Sequence, residues 1–199
     1  MAIISPAAQT MEGPLMVTQS QAEEAVRVLL HYIGENPSRE GLVDTPRRVA
    51  KALREMTVGL VRYPDEVLGT VFNESSQSPV IVRNIRFSSL CEHHLLPFSG
   101  TALVAYQPDG KVIGLSKIPR LVELYAKRPQ LQERLTNQIA EALQSHLNPL
   151  GVGVIIKAHH SCMGCRGVNQ PDAEMITSAF TDTYRDDYSL QDSLNNLIR

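Results

Sequence analysis

The stretch GVGVIIKAHHSC, residues 151–162, decides how this chain folds. It is almost wholly apolar until Lys157, which is typical of a β-strand, and it ends in two histidines and a cysteine. If the backbone stays extended from Lys157 to Cys162, the side chains alternate between two faces. His160 and Cys162 then share one face while His159 points away. The pattern therefore predicts a strand that carries His160 as its chemically active residue.

Sequences on both sides of this strand predict further strands. Residues 80–90, VIVRNIRFSSL, have the composition of a strand, and residues 174–184, EMITSAFTDTY, predict the last one. Residues 100–115, GTALVAYQPDGKVIGL, predict a hairpin, because the Pro-Asp-Gly sequence at their centre favours a turn. We therefore expect a meandering antiparallel sheet.

Helical spacing of apolar residues predicts helices in both halves of the chain. They are expected at residues 21–33, 44–60, 118–125 and 131–143, and around Leu190, Leu194 and Leu197. Thr45 can cap the second helix and Pro46 suits its first turn, whereas residues 63–79 are expected mostly as loop. This order predicts an α+β fold with helices on one face of the sheet. The predicted parts are a flexible arm at 1–18, an N-terminal helical region at 19–75 and the main domain at 76–199.

The composition argues against several classes of protein. With 199 residues, of which 43% are hydrophobic, the chain can form one domain with a core. Its net charge of −2 argues against nucleic-acid and membrane-surface partners, which usually require a basic bias. No apolar run reaches membrane-spanning length, and the start lacks the positive charge of a secretory signal. We therefore expect a cytoplasmic protein whose three cysteines are reduced.

Two segments far apart in the sequence hold the cysteines and most of the histidines. Cys91 and His94 lie in CEHH, and Cys162 and Cys165 lie in HHSCMGC. If all four bind one ion, they form a closed structural zinc site. If only Cys91, His94 and Cys162 bind it, a fourth position stays open for a water whose pKa zinc can lower to about 7. The spacing alone does not decide between these alternatives.

The residues around the cysteines favour catalysis. Glu92, His93 and His160 are groups that transfer protons, which a purely structural site does not need. Arg166 adds a fixed positive charge suited to phosphate. A zinc nucleobase deaminase is a third alternative, but its pattern requires a spacer before the Glu and a Pro before the later cysteines, and both are absent from this sequence. A non-catalytic zinc protein, whose metal only holds a binding domain together, is the main rival from another class.

Four segments together resemble a known enzyme family, GTP cyclohydrolase I. They are DTPRRVAKAL at residues 44–53, CEHHLLPFSG at 91–100, VIGLSKIPRLVELYAKRPQLQERLTNQI at 112–139 and CMGCRGV at 162–168. The resemblance runs from about residue 21 to the C-terminus, in matching order and spacing. Matched segments of this length are more specific than any single metal motif.

The resemblance implies a reaction, a fold and an assembly. The family's enzyme opens the imidazole ring of GTP, releases formate and forms 7,8-dihydroneopterin triphosphate, the first intermediate towards folate or tetrahydrobiopterin. Its fold is the tunnelling fold, in which subunits join their sheets into a five-fold barrel. Two such rings stack into a homodecamer, and the active sites lie between subunits. Residues 76–199 would then be the catalytic domain.

The resemblance also implies functions for individual residues. It implies that zinc is bound by Cys91, His94 and Cys162. It implies that the catalytic residues are His93, His160 and Ser116, the last of which would assist the ribose rearrangement. It implies that the substrate-binding residues are Gln132 and Glu133 at the guanine edge, Lys117, Arg120 and Arg166 at the ribose and triphosphate, Arg48 and Lys51 at a neighbour's site, and Glu92. Cys165 matches no ligand of the family, which favours the open, three-ligand site.

Overall fold

The computed structural model describes residues 17–76 and 78–198, so the arm predicted at 1–18 lies almost entirely outside it. The helices in this part are α1 (Gln19–Tyr32), α2 (Thr45–Met56), α3 (Asp65–Leu68), α4 (Lys117–Ala126), α5 (Gln132–Leu147), α6 (Ser161–Gly164), α7 (Asp182–Asp186) and α8 (Tyr188–Leu197). The strands are β1 (Val71–Asn73), β2 (Val80–Cys91), β3 (Pro97–Gln107), β4 (Lys111–Ile113), β5 (Pro129–Gln130), β6 (Gly151–His160) and β7 (Glu174–Phe180). Within the described ranges, every helix is too short or too polar to cross a membrane.

The described residues up to Glu55 form one compact unit that contains α1 and almost all of α2. α1 begins with a capping box, in which Thr18 and Gln21 each accept a hydrogen bond from the backbone N–H of the other. α2 carries Pro46 in its first turn, where the missing N–H of proline costs no helical hydrogen bond. Both helices confirm the predicted ones. The unit ends earlier in the chain than the boundary predicted at residue 75.

Residues 56–199 form the second compact unit, which is built on a five-stranded sheet. The strand order is β5-β2-β3-β6-β7. β2, β3, β6 and β7 pair antiparallel, whereas β5 runs parallel to the end of β2. The predicted α+β class and the antiparallel sheet are confirmed.

The predicted hairpin at residues 100–115 is wrong. β3 pairs with β2 and β6, and β4 leaves this sheet to pair with β1. β3 is buried on both faces from Ala102 to Tyr106, so it lies between two strands of the sheet and has no edge free for β4. The partner of β4 was missed because residues 63–79, expected mostly as loop, contain α3 and β1.

β3 supplies alternate side chains to two hydrophobic cores. Ala102, Val104 and Tyr106 belong to the larger core, which the residues of α4 and α5 complete. Leu103 and Ala105 face the opposite way and pack in the smaller core, which contains Tyr184 of α7 and Leu194 of α8. The two long helices of this unit thus cover one face, as predicted, and the short C-terminal helices add a second layer on the other face.

The predicted site residues Cys91 and His160 lie at the same end of the sheet. β2 ends at Cys91, which pairs with Gln130 of β5. β6 ends at His160, which pairs with Phe98 near the start of β3. The turn between β2 and β3 and the segment after β6 therefore leave the sheet at the same end.

Candidate metal and catalytic site

A tight turn after β2 brings the first two candidate ligands together. The backbone N–H of Cys91 donates to the carbonyl of Leu96 at 2.9 Å, and the N–H of Leu95 donates to the carbonyl of Cys91 at 2.8 Å. Leu95 completes the turn with a left-handed backbone, at φ 53°. The Sγ of Cys91 then lies 4.0 Å from the Nδ1 of His94.

The third candidate ligand comes from α6, directly after β6. The Sγ of Cys162 and the ligand atoms of Cys91 and His94 all lie within 4.8 Å of one another. Among the described residues, Cys165 does not belong to this group, although it is only three positions away. It lies at the end of α6 and is exposed. The structure therefore assembles a three-ligand group.

The chemistry of these donors fits zinc. Zinc binds thiolate sulfur at about 2.3 Å and imidazole nitrogen at about 2.0–2.1 Å, so tetrahedral ligand atoms lie within roughly 4 Å of one another. The observed separation of Cys91 and His94 is close to this value. Burial raises the pKa of the Cys162 thiol, the nearby Cys91 thiol raises it further, and the charge of Arg166 lowers it. A bound cation would reverse this balance, because a coordinating thiol is deprotonated.

His160 is held beside this group by two neighbours. Its ring stacks on the ring of Phe98, with centroids 4.5 Å apart and planes within 5° of parallel. Its Nε2 lies 2.9 Å from the Oε1 of Gln132. Burial lowers the pKa of His160, and the charge of Glu133 opposes this shift. His160 is therefore an oriented imidazole whose neutral form is favoured.

The side chain of Gln132 makes its contacts inside the protein. Only 1% of the residue is exposed. Its amide nitrogen donates towards the carbonyls of Ile156 and Met175 and towards the hydroxyl of Thr177, while its amide oxygen faces His160. Its polar atoms thus have partners within the protein, and the contact of its side chain with guanine stays a prediction.

Glu92 is also bound within the protein. Its two carboxylate oxygens accept hydrogen bonds from Arg134, which holds the pKa of Glu92 below its ordinary value. The backbone N–H of Glu92 donates to the carbonyl of Gln130 at 3.1 Å. The structure thus gives Glu92 a partner that differs from the expected substrate, and it ties the turn after β2 to α5.

The other predicted residues of this unit lie around the group or at α4. His93 is exposed, and its ring is nearly perpendicular to that of His94 with centroids 6.1 Å apart. Glu133 and Arg166 are exposed, and the pKa shifts above place their charges near His160 and Cys162 respectively.

Ser116 and Lys117 lie at the start of α4, with Arg120 one turn further on. Ser116 and Arg120 are exposed, and Lys117 is half-buried. Arg120 lines a cavity of about 490 Å³ between α4 and β2, together with Arg86 and Lys127. Glu123 also lines this cavity, so its lining carries three cations and one acid.

Arg48 and Lys51 lie on α2, in the unit formed by residues 1–55. Both side chains are exposed and form ion pairs along their own helix, Arg48 with Asp44 at 3.1 Å and Lys51 with Glu55 at 3.7 Å. Exposed pairs of this kind contribute little to stability, about 0–1 kcal/mol, so both cations can exchange their partners for an anionic ligand.

Sequence reasoning missed three contributors to the site. Phe98 follows the CEHH segment closely, but its stacking on His160 depends on a β3–β6 pairing that the sequence analysis did not predict. Arg134 directly follows Glu133, yet its partner lies on a different element. Thr177 belongs to the predicted last strand, and its contact with Gln132 depends on the packing of α5 against β7. None of these contacts leaves a local signal in the sequence.

Fold and site together define an α+β protein that carries a Cys-His-Cys group able to hold a metal, with a half-buried, oriented histidine two residues before its second cysteine. The sequence model of one family, GTP cyclohydrolase I, matches residues 22–199. A protein of Bartonella quintana named GTP cyclohydrolase 1 is 50% identical over 181 residues, covering 90% of this chain and 88% of its own. One of Mycobacterium avium with the same name is 56% identical over 169 residues, covering 84% and 83%. The chain belongs to the GTP cyclohydrolase I family.

One solved structure is also similar, the archaeosine synthase QueF-Like in its apo form. It aligns with a TM-score of 0.45 and 24% identity. The alignment covers 54% of this chain and 96% of the other.

Proposed function

We propose that this chain is a zinc-dependent GTP cyclohydrolase I, which converts GTP and water to 7,8-dihydroneopterin 3′-triphosphate and formate. The observation that carries the proposal is the three-ligand group of Cys91, His94 and Cys162 with His160 next to it. Family membership over residues 22–199 supports the same reaction. A structural zinc site would use a fourth protein ligand and would not need an oriented histidine.

Cys91, His94 and Cys162 would hold the zinc. When bound, zinc supplies Lewis-acid chemistry and lowers the pKa of water at its open position to about 7. The chain's own contribution is to provide these donors from two segments fixed at one end of the sheet. Cys165 lies outside the group, which supports the open position.

His160 and His93 would move the protons. Opening the imidazole ring of GTP breaks bonds between carbon and nitrogen, and each nitrogen that leaves must gain a proton. His160 is half-buried and fixed by Phe98 and Gln132, so it can meet one defined position on the substrate. His93 is exposed beside His94 and can exchange protons with solvent. Ser116 would assist proton movement during the ribose rearrangement.

Binding of GTP requires local positive charge, because the protein as a whole has a net charge of −2. Lys117, Arg120 and Arg166 would contact the ribose and triphosphate. Arg48 and Lys51 would reach the site of a neighbouring subunit. Each charge-assisted hydrogen bond contributes about 1.5–3 kcal/mol.

Glu133 would select guanine. An exposed carboxylate near His160 can accept two hydrogens from the guanine edge, whereas adenine would leave it unpaired. The position of Glu133 in the first turn of α5 is also favourable for an acid on helix-dipole grounds, so its contribution must be tested by substitution. Use of another purine nucleotide is the alternative that such a test addresses.

We further propose a homodecamer in the cytoplasm, with active sites between subunits, acting at the first step of tetrahydrofolate or pterin biosynthesis. The exposed outer strand β7 supports joining of sheets between chains, because an open strand edge can pair with another. Free thiols that bind zinc require a reducing compartment, which supports the location. Light scattering of the purified protein separates a decamer from a monomer.

The decisive experiment is incubation of the zinc-loaded protein with GTP. We expect one formate per GTP consumed, a fluorescent pterin after oxidation, and no turnover of ATP. Removal of zinc with a chelator abolishes turnover, and added zinc restores it. Glu133→Ala lowers kcat/KM for GTP by at least tenfold, about 1.4 kcal/mol. Glu141→Ala, an exposed acid on the same helix, is the matched control. Zinc binding without formate release contradicts the proposal.

A further inference from the structure

The orientation of the Gln132 side-chain amide is fixed by groups that can only accept hydrogen bonds. Its nitrogen lies 3.2 Å from the carbonyl oxygen of Ile156 and 3.0 Å from that of Met175. Carbonyl oxygens have no hydrogen to donate, so the amide nitrogen must face them. Turning the amide over would place its oxygen against both carbonyls and lose two buried hydrogen bonds. The oxygen Oε1 must therefore face His160.

Two threonines complete the same network. The hydroxyl of Thr136 donates to the backbone carbonyl of Gln132 at 2.7 Å. Its oxygen lies 2.7 Å from the hydroxyl of Thr177, so Thr177 must be the donor in that pair. The oxygen of Thr177 is then free to accept from the Gln132 amide at 3.1 Å. The two hydrogens of the amide nitrogen thus face three acceptors, and Oε1 of Gln132 is an acceptor.

This network determines which nitrogen of His160 carries hydrogen. Because Oε1 of Gln132 can only accept, the Nε2 of His160, 2.9 Å away, must be the donor. A neutral imidazole has one N–H, so the other nitrogen, Nδ1, carries the free lone pair. Stacking on Phe98 at 4.5 Å resists rotation of the ring, which would otherwise exchange the two nitrogens.

We propose that Gln132 is a positioning residue, which fixes the orientation of the His160 ring with Nε2–H directed to Oε1 of Gln132 and the free lone pair on Nδ1. This inference rests on the proposed function and deepens it.

The tautomer can be measured in the resting protein by 15N NMR of histidine-labelled, zinc-loaded samples. The chain has six histidines, and His160→Asn removes one signal pair and so assigns it. We expect a protonated Nε2 and a bare Nδ1 in the wild-type protein, and a mixture of tautomers in Gln132→Met. Gln130→Met is the matched control, because Gln130 is equally buried at 1% and donates to Tyr125 and Gln138 instead. A protonated Nδ1 in the wild type overturns the proposal by itself.

Kinetics separate positioning from substrate binding. If Gln132 positions His160, Gln132→Met lowers kcat by about 10- to 100-fold while the KM for GTP stays within about twofold. If its side chain instead binds guanine, KM rises, kcat is kept and the tautomer does not change, which overturns the proposal. A wild-type protein that releases no formate contradicts the proposed function, but its NMR spectrum still decides the tautomer. The two failures are therefore distinguishable.

Discussion

The guanidinium of Arg134 donates two hydrogen bonds to the carboxylate of Glu92, with lengths of 2.5 and 3.2 Å. Arg134 lies in the first turns of α5, and Glu92 directly follows Cys91 in the turn that carries two candidate site histidines. The side chains are 44% and 30% exposed, so the pair contributes little to overall stability, about 0–1 kcal/mol. Its effect is to fix the direction of the turn relative to α5.

We therefore expect Arg134→Met to weaken zinc binding or kcat/KM by about 10- to 100-fold, with a change in Tm of only a few degrees. Zinc affinity is measured by competition with a chromogenic chelator, and activity by formate release. Arg62→Met is the control, because Arg62 forms an exposed ion pair with Glu66 away from the metal group. Unchanged zinc affinity and activity in Arg134→Met would refute this orienting function.

Substitution of single cysteines tests the number of ligands. Cys165→Ala should keep one zinc per chain and full activity, because Cys165 lies outside the three-ligand group. Cys162→Ala and Cys91→Ala should each lose zinc and activity. Metal content is measured by mass spectrometry of the dialysed protein. Loss of zinc from Cys165→Ala would identify a closed structural site and remove the open position on which the proposed catalysis depends.

Gly100 tests how closely β3 and β6 approach. A Cβ at this position would lie 1.8 Å from the carbonyl oxygen of Lys157 and 2.7 Å from the Cα of Ala158. Because these are backbone atoms, Gly100→Ala must separate the strands, and we expect a loss of about 3 kcal/mol in unfolding free energy. Denaturation by urea measures the loss.

Gly69→Ala is the control for that substitution. The nearest atom to its Cβ is the carbonyl oxygen of Asp65 at 3.6 Å, an ordinary contact, so we expect no loss of stability. Equal stability of the two variants would mean that β3 and β6 can move apart freely.

Asp187 makes the attachment of α8 dependent on pH. Its carboxylate accepts hydrogen bonds from the Ser189 hydroxyl and from the backbone N–H groups of Ser189 and Leu190, which lower its pKa below the ordinary value of 3.8. A lowered folded-state pKa stabilises the protein above 3.8, and this stabilisation is lost as pH falls through the lower value.

The variant Asp187→Asn keeps a capping side chain but does not titrate. The wild type should therefore have the higher Tm at about pH 5, and its advantage should shrink at about pH 2.5. Calorimetry of both proteins measures the difference, which cancels acid effects common to the two chains. A difference that is the same at both pH values would contradict the prediction.

Much of the fold could be predicted from local patterns. α4 was predicted from the spacing of Ile118, Leu121, Val122 and Tyr125, all of which are buried. β6 was predicted from its apolar run. The error concerned pairing, because a turn sequence shows where the chain can reverse but does not show which strands hydrogen-bond. β3 looks like half of a hairpin, yet its two apolar faces suit a strand between two others.

The candidate metal ligands could be predicted from the sequence, whereas the contacts of the residues around them could not. Donor chemistry and spacing leave a three-ligand and a four-ligand site open, and the family resemblance implies Cys91, His94 and Cys162, whose ligand atoms the structure brings together. The contacts of Glu92 and Gln132 were not predictable in the same way. Each depends on a partner contributed by another element, so only the packed structure shows that these polar groups are already bound.

β3 delivers alternate side chains to two cores, and this limits how the protein can change in evolution. A single inserted residue within the strand would exchange Leu103 and Ala105 with the side chains of the opposite face, so neither interior could close. An insertion between Phe98 and Leu103 that kept both cores in place would instead turn Phe98 away from His160. Natural length variation in this part of the chain should therefore be confined to the turns. The geometry of the candidate site at the end of the sheet depends on core residues that do not belong to the site.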